Sequence, residues 1–159
     1  MSGYLFDTCI VRNWYAKKPA TVLRVNALLG TMPLYISVVT LGEIEFAHTN
    51  VAATDKAKQA ELRKWMRQTF EVPQLVITDS TAQYYADIRR RLFDKYDVKN
   101  KYLEMREDNL GEKCGVDEND VWIVAQALDH NLQVISNDKM SRIQDVLDDP
   151  NTIAIWPDA

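Results

Sequence analysis

The chain has 159 residues with a formal net charge of -4, and it is 47% hydrophobic, 9% aromatic and 26% charged. That size predicts a single domain, 1–159, with its own core, and that balance excludes disordered, collagenous and low-complexity classes. No apolar run approaches the roughly 18 residues that cross a bilayer; the opening MSGYLFDTCIV lacks the basic start of a signal peptide, and two cysteines, Cys9 and Cys114, make no disulfide framework, so the expectation is a cytoplasmic protein with no membrane partner.

Residues 4–7 (YLFD) read as a short buried strand ending on an acid. A helix over about 8–17 follows, with Ile10, Val11, Trp14 and Tyr15 on its apolar side. Pro19 opens another helix with Val22, Leu23, Val25, Leu28 and Leu29 inward, and Gly30 stops it. Residues 34–39 (LYISVV) are the second strand. Thr40 stands as the N-cap of the next helix and Glu43 three places on has capping-box spacing. A helix over about 55–70 carries Leu62, Trp65, Met66 and Phe70.

Beyond Pro73, QLVIT (74–78) predicts a third strand, and Asp79 or Ser80 caps a long helix to about 96. Residues 97–116 have no clear period and read as a loop or short helix. Asp117 caps a helix from about 118 to 129, with Val121, Trp122, Val124, Ala125 and Leu128 apolar. Asp129-His130-Asn131 is a turn, 132–135 (LQVI) a fourth strand, and 152–156 (TIAIW) a fifth. Strands separated by helices predict an α/β fold, a three-layer α/β/α sandwich on a mainly parallel sheet of four or five strands.

The charge is unevenly spread. Residues 1–103 hold 15 basic and 10 acidic side chains (+5), residues 104–159 hold 4 and 13 (-9). The acidic total alone argues against a nucleic-acid partner. Either the late acids form a solvated face, or some of them bind a cation.

Ligands of open parallel sheets bind beyond the carboxyl ends of the strands. Asp7 ends strand one, Glu43 lies in the first turn after strand two, Asp120 in the first turn of the helix leading into strand four, and Asp138 just after that strand. A helix descending from the rim and a strand climbing back return Asp120 and Asp138 to the same edge. Four such carboxylates repel one another unless a cation sits between them. A hard Mg²⁺ or Mn²⁺ ion suits oxygen ligands, and such sites serve phosphoryl chemistry, with one or two ions. His48 and His130 stand alone in sequence and make no zinc site.

Four stretches, Phe6-Asp7-Thr8-Cys9-Ile10, Ile36-Ser37-Val38-Val39-Thr40-Leu41-Gly42-Glu43-Ile44, Glu118-Asn119-Asp120-Val121-Trp122-Ile123-Val124-Ala125 and Val134-Ile135-Ser136-Asn137-Asp138, resemble PIN domains, and most of all VapC-type toxin ribonucleases. Each stretch is weak alone; four in the family's order are specific. The resemblance implies Mg²⁺- or Mn²⁺-dependent hydrolysis of RNA phosphodiester bonds, with Asp7, Glu43, Asp120 and Asp138 as metal-binding acids and Thr8 and Ser136 as hydroxyls beside them. It implies a small VapB-like antitoxin as partner and a homodimer. Cys9 departs from the Asn the family often has there. Other PIN readings are an RNA-processing or DNA-cleaving nuclease; a reading from another class is a catalytically silent binding module.

Bland roles compete at each position. Asp7 and Asp138 are also turn acids, Glu43 a capping partner, and Asp120 an ordinary first-turn acid. Asp117 reads first as an N-cap, with an added metal ligand as the second role. His48 and His130 read as surface or turn residues, Trp14, Trp65 and Trp122 as core, and both cysteines as inert. The stretches 55–67 and 86–101 each carry a net +3, either as solvated helix faces or as contacts to RNA phosphates.

Overall fold

The computed structural model describes residues 1–49, 56–70, 74–96, 98, 110–137 and 140–157. Asp138, Lys99, Lys101 and most of the 97–116 segment lie outside the described residues, as does the side chain of His48. The elements are β1 (Tyr4–Phe6), α1 (Thr8–Tyr15), α2 (Pro19–Leu28), β2 (Leu34–Ile36), α3 (Val38–Thr49), α4 (Lys56–Thr69), α5 (Asp79–Lys95), a π-helical turn (Leu110–Cys114), α6 (Glu118–Asp129), β3 (Gln133–Ser136), α7 (Ser141–Gln144) and β4 (Ile153–Ile155).

The four strands form one sheet in the order β2-β1-β3-β4, all parallel. Phe6 pairs with Ile36 on one side and with Ile135 on the other. Successive side chains alternate between faces, and the core divides accordingly. Leu5 and Val134 join Ile88, Leu92, Val121 and Val124 beneath α5 and α6. Phe6 and Ile135 join Ile10, Val11, Val25, Ile44, Leu62 and Met66 beneath α1 to α4. This is the expected three-layer α/β/α sandwich. Because β1 connects to β2 on one side and neighbours β3 on the other, the carboxyl end of β1 is the point where the strand order reverses, the place such sheets put their ligands.

Three sequence expectations change. QLVIT does not become a strand: only Leu75 pairs, with Ser37, while Val76 and Ile77 stay exposed as the chain turns toward α5. In α2, Leu23 and Leu29 face solvent; Thr21, Val25 and Leu28 form the inward stripe, and Leu23 lies two residues from Val25 and so on the opposite side. Gly30 does stop that helix, at φ +79°. The caps also shift. Helix α3 begins at Val38, with the Ser37 hydroxyl accepting from the Val39 N–H at 2.9 Å. Thr40 is therefore inside the helix, and Glu43 is released from any capping role. The cap of α5 is Thr78, in a reciprocal box with Thr81, one residue ahead of the Asp79 or Ser80 expected.

The same corner supplies a stability test. Asp129, the last residue of α6, accepts hydroxyl hydrogen bonds from Ser80 (2.6 Å), Thr81 (2.6 Å) and Thr78 (3.2 Å), so its charge sits at the positive end of α5. The Ser80 bond, then the Thr81 bond, hold its carboxyl below the ordinary value of 3.8. Asp129→Ala is expected to cost about 1–2 kcal/mol at neutral pH. A depressed native pKa contributes stability above the unfolded value and loses it as pH falls through the native one. Urea unfolding therefore shows a wild-type advantage that vanishes in acid; an advantage independent of pH contradicts this assignment.

The uneven charge also finds a partial explanation. Arg91 of α5 pairs with Asp148 (2.8 Å), Lys95 lies 3.5 Å from Asp145, and Arg89 3.3 Å from Glu118. Arg90 pairs with Asp87 and Asp94. The described basic residues of 86–101 thus face the chain's own carboxylates, which favours the ion-paired helix face over an RNA-binding stretch.

Candidate acidic active site

Asp7 leaves β1 and caps α1. Its Oδ1 accepts from the Thr8 N–H (2.6 Å), and its Oδ2 accepts from the Ser136 hydroxyl (2.7 Å) and the Cys9 thiol (3.1 Å). The side chain is buried, at 5% exposure. Burial raises its pKa above 3.8; the Cys9, Ser136 and Thr8 hydrogen bonds oppose that rise, and the nearby Glu43 charge adds to it.

Glu43 reaches the same place from α3. Thr8 donates its hydroxyl to Glu43 Oε2, and Asn119 donates its side-chain N–H to Oε1 at 2.8 Å. Asp120 comes from the first turn of α6. Asp117 is the N-cap of that helix, accepting from the Asn119 N–H at 2.8 Å. One open pocket of about 360 Å³ is lined by Asp7, Thr8, Cys9, Arg12, Asn13, Glu43, Asp117 and Asp120. Three of the four acids expected at the rim therefore meet there, with Asp117 at its edge. The fourth, Asp138, follows Asn137 outside the described residues. Thr8 and Ser136 both touch the acids, as expected. His130 ends α6 in the turn foreseen for it.

Four residues of the site escaped the sequence. Cys9 is unreactive as expected, but it has a structural role: it donates to Asp7 and accepts from the Asn137 N–H at 3.3 Å, tying α1 to the end of β3. Burial, then the Asp7 charge, pushes its pKa up to about 12, so it stays protonated and able to donate. Arg12 and Asn13 lie four residues beyond Thr8 and Cys9 on the same face of α1. Asn119 stands between two acids, which was its only signal.

The donors are all hard oxygens, and the buried Asp7 with Glu43 beside it is a concentration of negative charge that a divalent cation would relieve. In kind, the residues fit such an ion. Among the described residues, no three His, Cys, Asp or Glu side chains are gathered into a ready-made ligand group; the acids ring the pocket instead.

No curated protein matches the chain by sequence. Solved structures resemble it in fold. A VapBC2 complex from Rickettsia felis bound to a promoter DNA fragment has a TM-score of 0.70 at 16% identity, covering 97% of this chain and 98% of that one. FitAcB from Neisseria gonorrhoeae has a TM-score of 0.67 at 19% identity, covering 96% of each. VapBC-5 from Mycobacterium tuberculosis, a member of the VapBC family of toxin–antitoxin systems, has a TM-score of 0.59 at 22% identity, covering 98% of each. The PIN domain profile matches residues 4–146, and the chain belongs to the PIN domain family.

Proposed function

We propose that the protein is a metal-dependent endoribonuclease that hydrolyses RNA phosphodiester bonds, the toxin of a type II toxin–antitoxin pair. PIN domains are in general nucleases that use divalent metal ions. The observation that carries the reading here is the meeting of Asp7, Glu43 and Asp120, from three separate elements, in one pocket at the carboxyl edge of the sheet. An intact acid set argues against a silent binding module. Toxin–antitoxin complexes among the structures of like fold support an antitoxin partner. A cytoplasmic homodimer completes the reading.

Asp7, Glu43 and Asp120, with Asp138, would hold Mg²⁺ or Mn²⁺. When bound, such an ion supplies positive charge against the phosphate and an acidified water. The rest is positioning. Thr8 and Asn119 fix the two oxygens of Glu43, and Ser136 and Cys9 fix Oδ2 of Asp7. Asp117 holds the first turn of α6, and so the register of Asp120.

Purified protein is expected to cut single-stranded RNA with Mg²⁺ or Mn²⁺ and to stop in EDTA. Cleavage of DNA alone, or RNA cleavage indifferent to EDTA, overturns the reading. Co-purification with the product of an adjacent short reading frame tests the antitoxin, and light scattering tests the dimer.

A further inference from the structure

Among the described residues lining the acidic pocket, Arg12 is the one cation. Its position follows from the start of α1. Helix α1 begins directly after Asp7, and Ile10 and Val11 turn into the core. Thr8 and Arg12 are one turn apart, so the face that delivers the Thr8 hydroxyl to Glu43 also brings the Arg12 side chain to the pocket.

An arginine beside four carboxylates is expected to pair with one of them. Among the described residues Arg12 makes no ion pair, whereas Arg63, Arg89, Arg90 and Arg91 each face a carboxylate. It is exposed, while Asp7 in the same pocket is buried. The lining is therefore graded: Asp7 is buried, Glu43 and Asp120 are half-buried, and Arg12 stands with Asp117 at the exposed rim. A guanidinium with five donors and no ion-pair partner among the described residues matches phosphate oxygens, which it can grip with two parallel hydrogen bonds. Acids alone repel a polyanionic substrate; a rim cation offsets that repulsion where the backbone enters.

We propose that Arg12 binds a backbone phosphate of the nucleic acid next to the scissile bond, and so holds the strand in register over the acids. This rests on the nuclease reading above and adds a substrate-binding residue to it. Arg12 contributes to substrate binding, not to metal binding.

The test compares wild type, Arg12→Ala and Arg12→Lys. A fluorescein-labelled single-stranded RNA is titrated in EDTA, where nothing is cut, by anisotropy over a range of NaCl concentrations. Mn²⁺ binding is measured separately by calorimetry, and cleavage by KM and kcat. Arg12→Ala is expected to weaken RNA binding about tenfold and to reduce the salt slope by about 0.7 for the lost single-strand contact. Arg12→Lys recovers part of the affinity, KM rises more than kcat falls, and Mn²⁺ affinity stays within about twofold of wild type. Wild-type RNA affinity and salt slope in Arg12→Ala overturn the proposal and leave the nuclease reading intact. Tighter Mn²⁺ binding in Arg12→Ala with unchanged RNA binding also overturns it, since Arg12 is then a counter-ion for the acids. Absence of RNA binding and cleavage in the wild type overturns both.

Discussion

Asp7→Asn is expected to lower metal-stimulated RNA cleavage by about 10²–10³-fold or more while leaving the folded protein as stable as the wild type, or more so. The two effects have one cause. Asp7 is buried at the carboxyl end of the central strand, beside the like charge of Glu43. In the metal-free protein its charge is a liability, and burial without a cation is what raises its pKa. An amide of the same shape removes the charge and keeps the hydrogen bonds. Its carbonyl still accepts from the Thr8 N–H, and at the Oδ2 position the Ser136 hydroxyl and the Cys9 sulfur both turn to accept from the new N–H groups. Thermal unfolding without metal, read beside Mn²⁺ affinity and cleavage, checks this. A variant that retains activity removes Asp7 from the site, and one that unfolds shows the carboxylate to be structural.

The same raised pKa has a pH signature. Asp7 in the native state takes up its proton at a higher pH than the unfolded chain does. Its share of metal-free stability therefore rises as pH falls through the native pKa toward 3.8. Asp87, held low first by its Arg90 hydrogen bond, and Asp129 run the opposite way. The Asp7 contribution is isolated as the difference between wild type and Asp7→Asn. Metal competes with the proton, so Mn²⁺ affinity is expected to fall on the acid side before an ordinary carboxylate would protonate.

The sheet was readable because β1, β2, β3 and β4 are short apolar runs, and period two sends Leu5 and Phe6 to opposite faces. What the sequence concealed lies where tertiary contacts overrule local preference. Val38 and Val39 are β-branched and extend a strand pattern. They are helical because Ser37 caps them and donates to Gln126 of α6, whose own amide holds the Leu75 carbonyl at 2.8 Å. That three-way link also explains QLVIT, which is anchored at Leu75 and needs no further pairing. Moving the cap from Thr40 to Ser37 matters for the site, since it frees the Glu43 carboxylate for Thr8 and Asn119. The deficit of -9 after residue 103 was legible as a number, but it merges two roles. Asp145 and Asp148 answer the basic residues of α5, and Asp120 lines the pocket. Net charge cannot separate them; placement does.

Asp117 and Asp120 sit three residues apart at the start of α6, and the two roles argued for them predict opposite outcomes for the same substitution. Asp117 is exposed and accepts from the Asn119 N–H as the N-cap. Asparagine caps as well as aspartate, so Asp117→Asn is expected to keep stability within about 0.5 kcal/mol and to keep cleavage close to wild type. Asp120 is half-buried on the pocket wall. Its neutralisation costs the helix about 0.3–1 kcal/mol of dipole interaction, but it takes a charge from the cation's surroundings. Asp120→Asn is therefore expected to lower cleavage by about 10²-fold or more, with a parallel loss of Mn²⁺ affinity. Matched calorimetric titrations and cleavage assays on the two variants decide the matter. If Asp117→Asn loses metal affinity as Asp120→Asn does, Asp117 is a ligand as well as a cap; if both variants cleave normally, the pocket on this side of α6 is not where the metal sits.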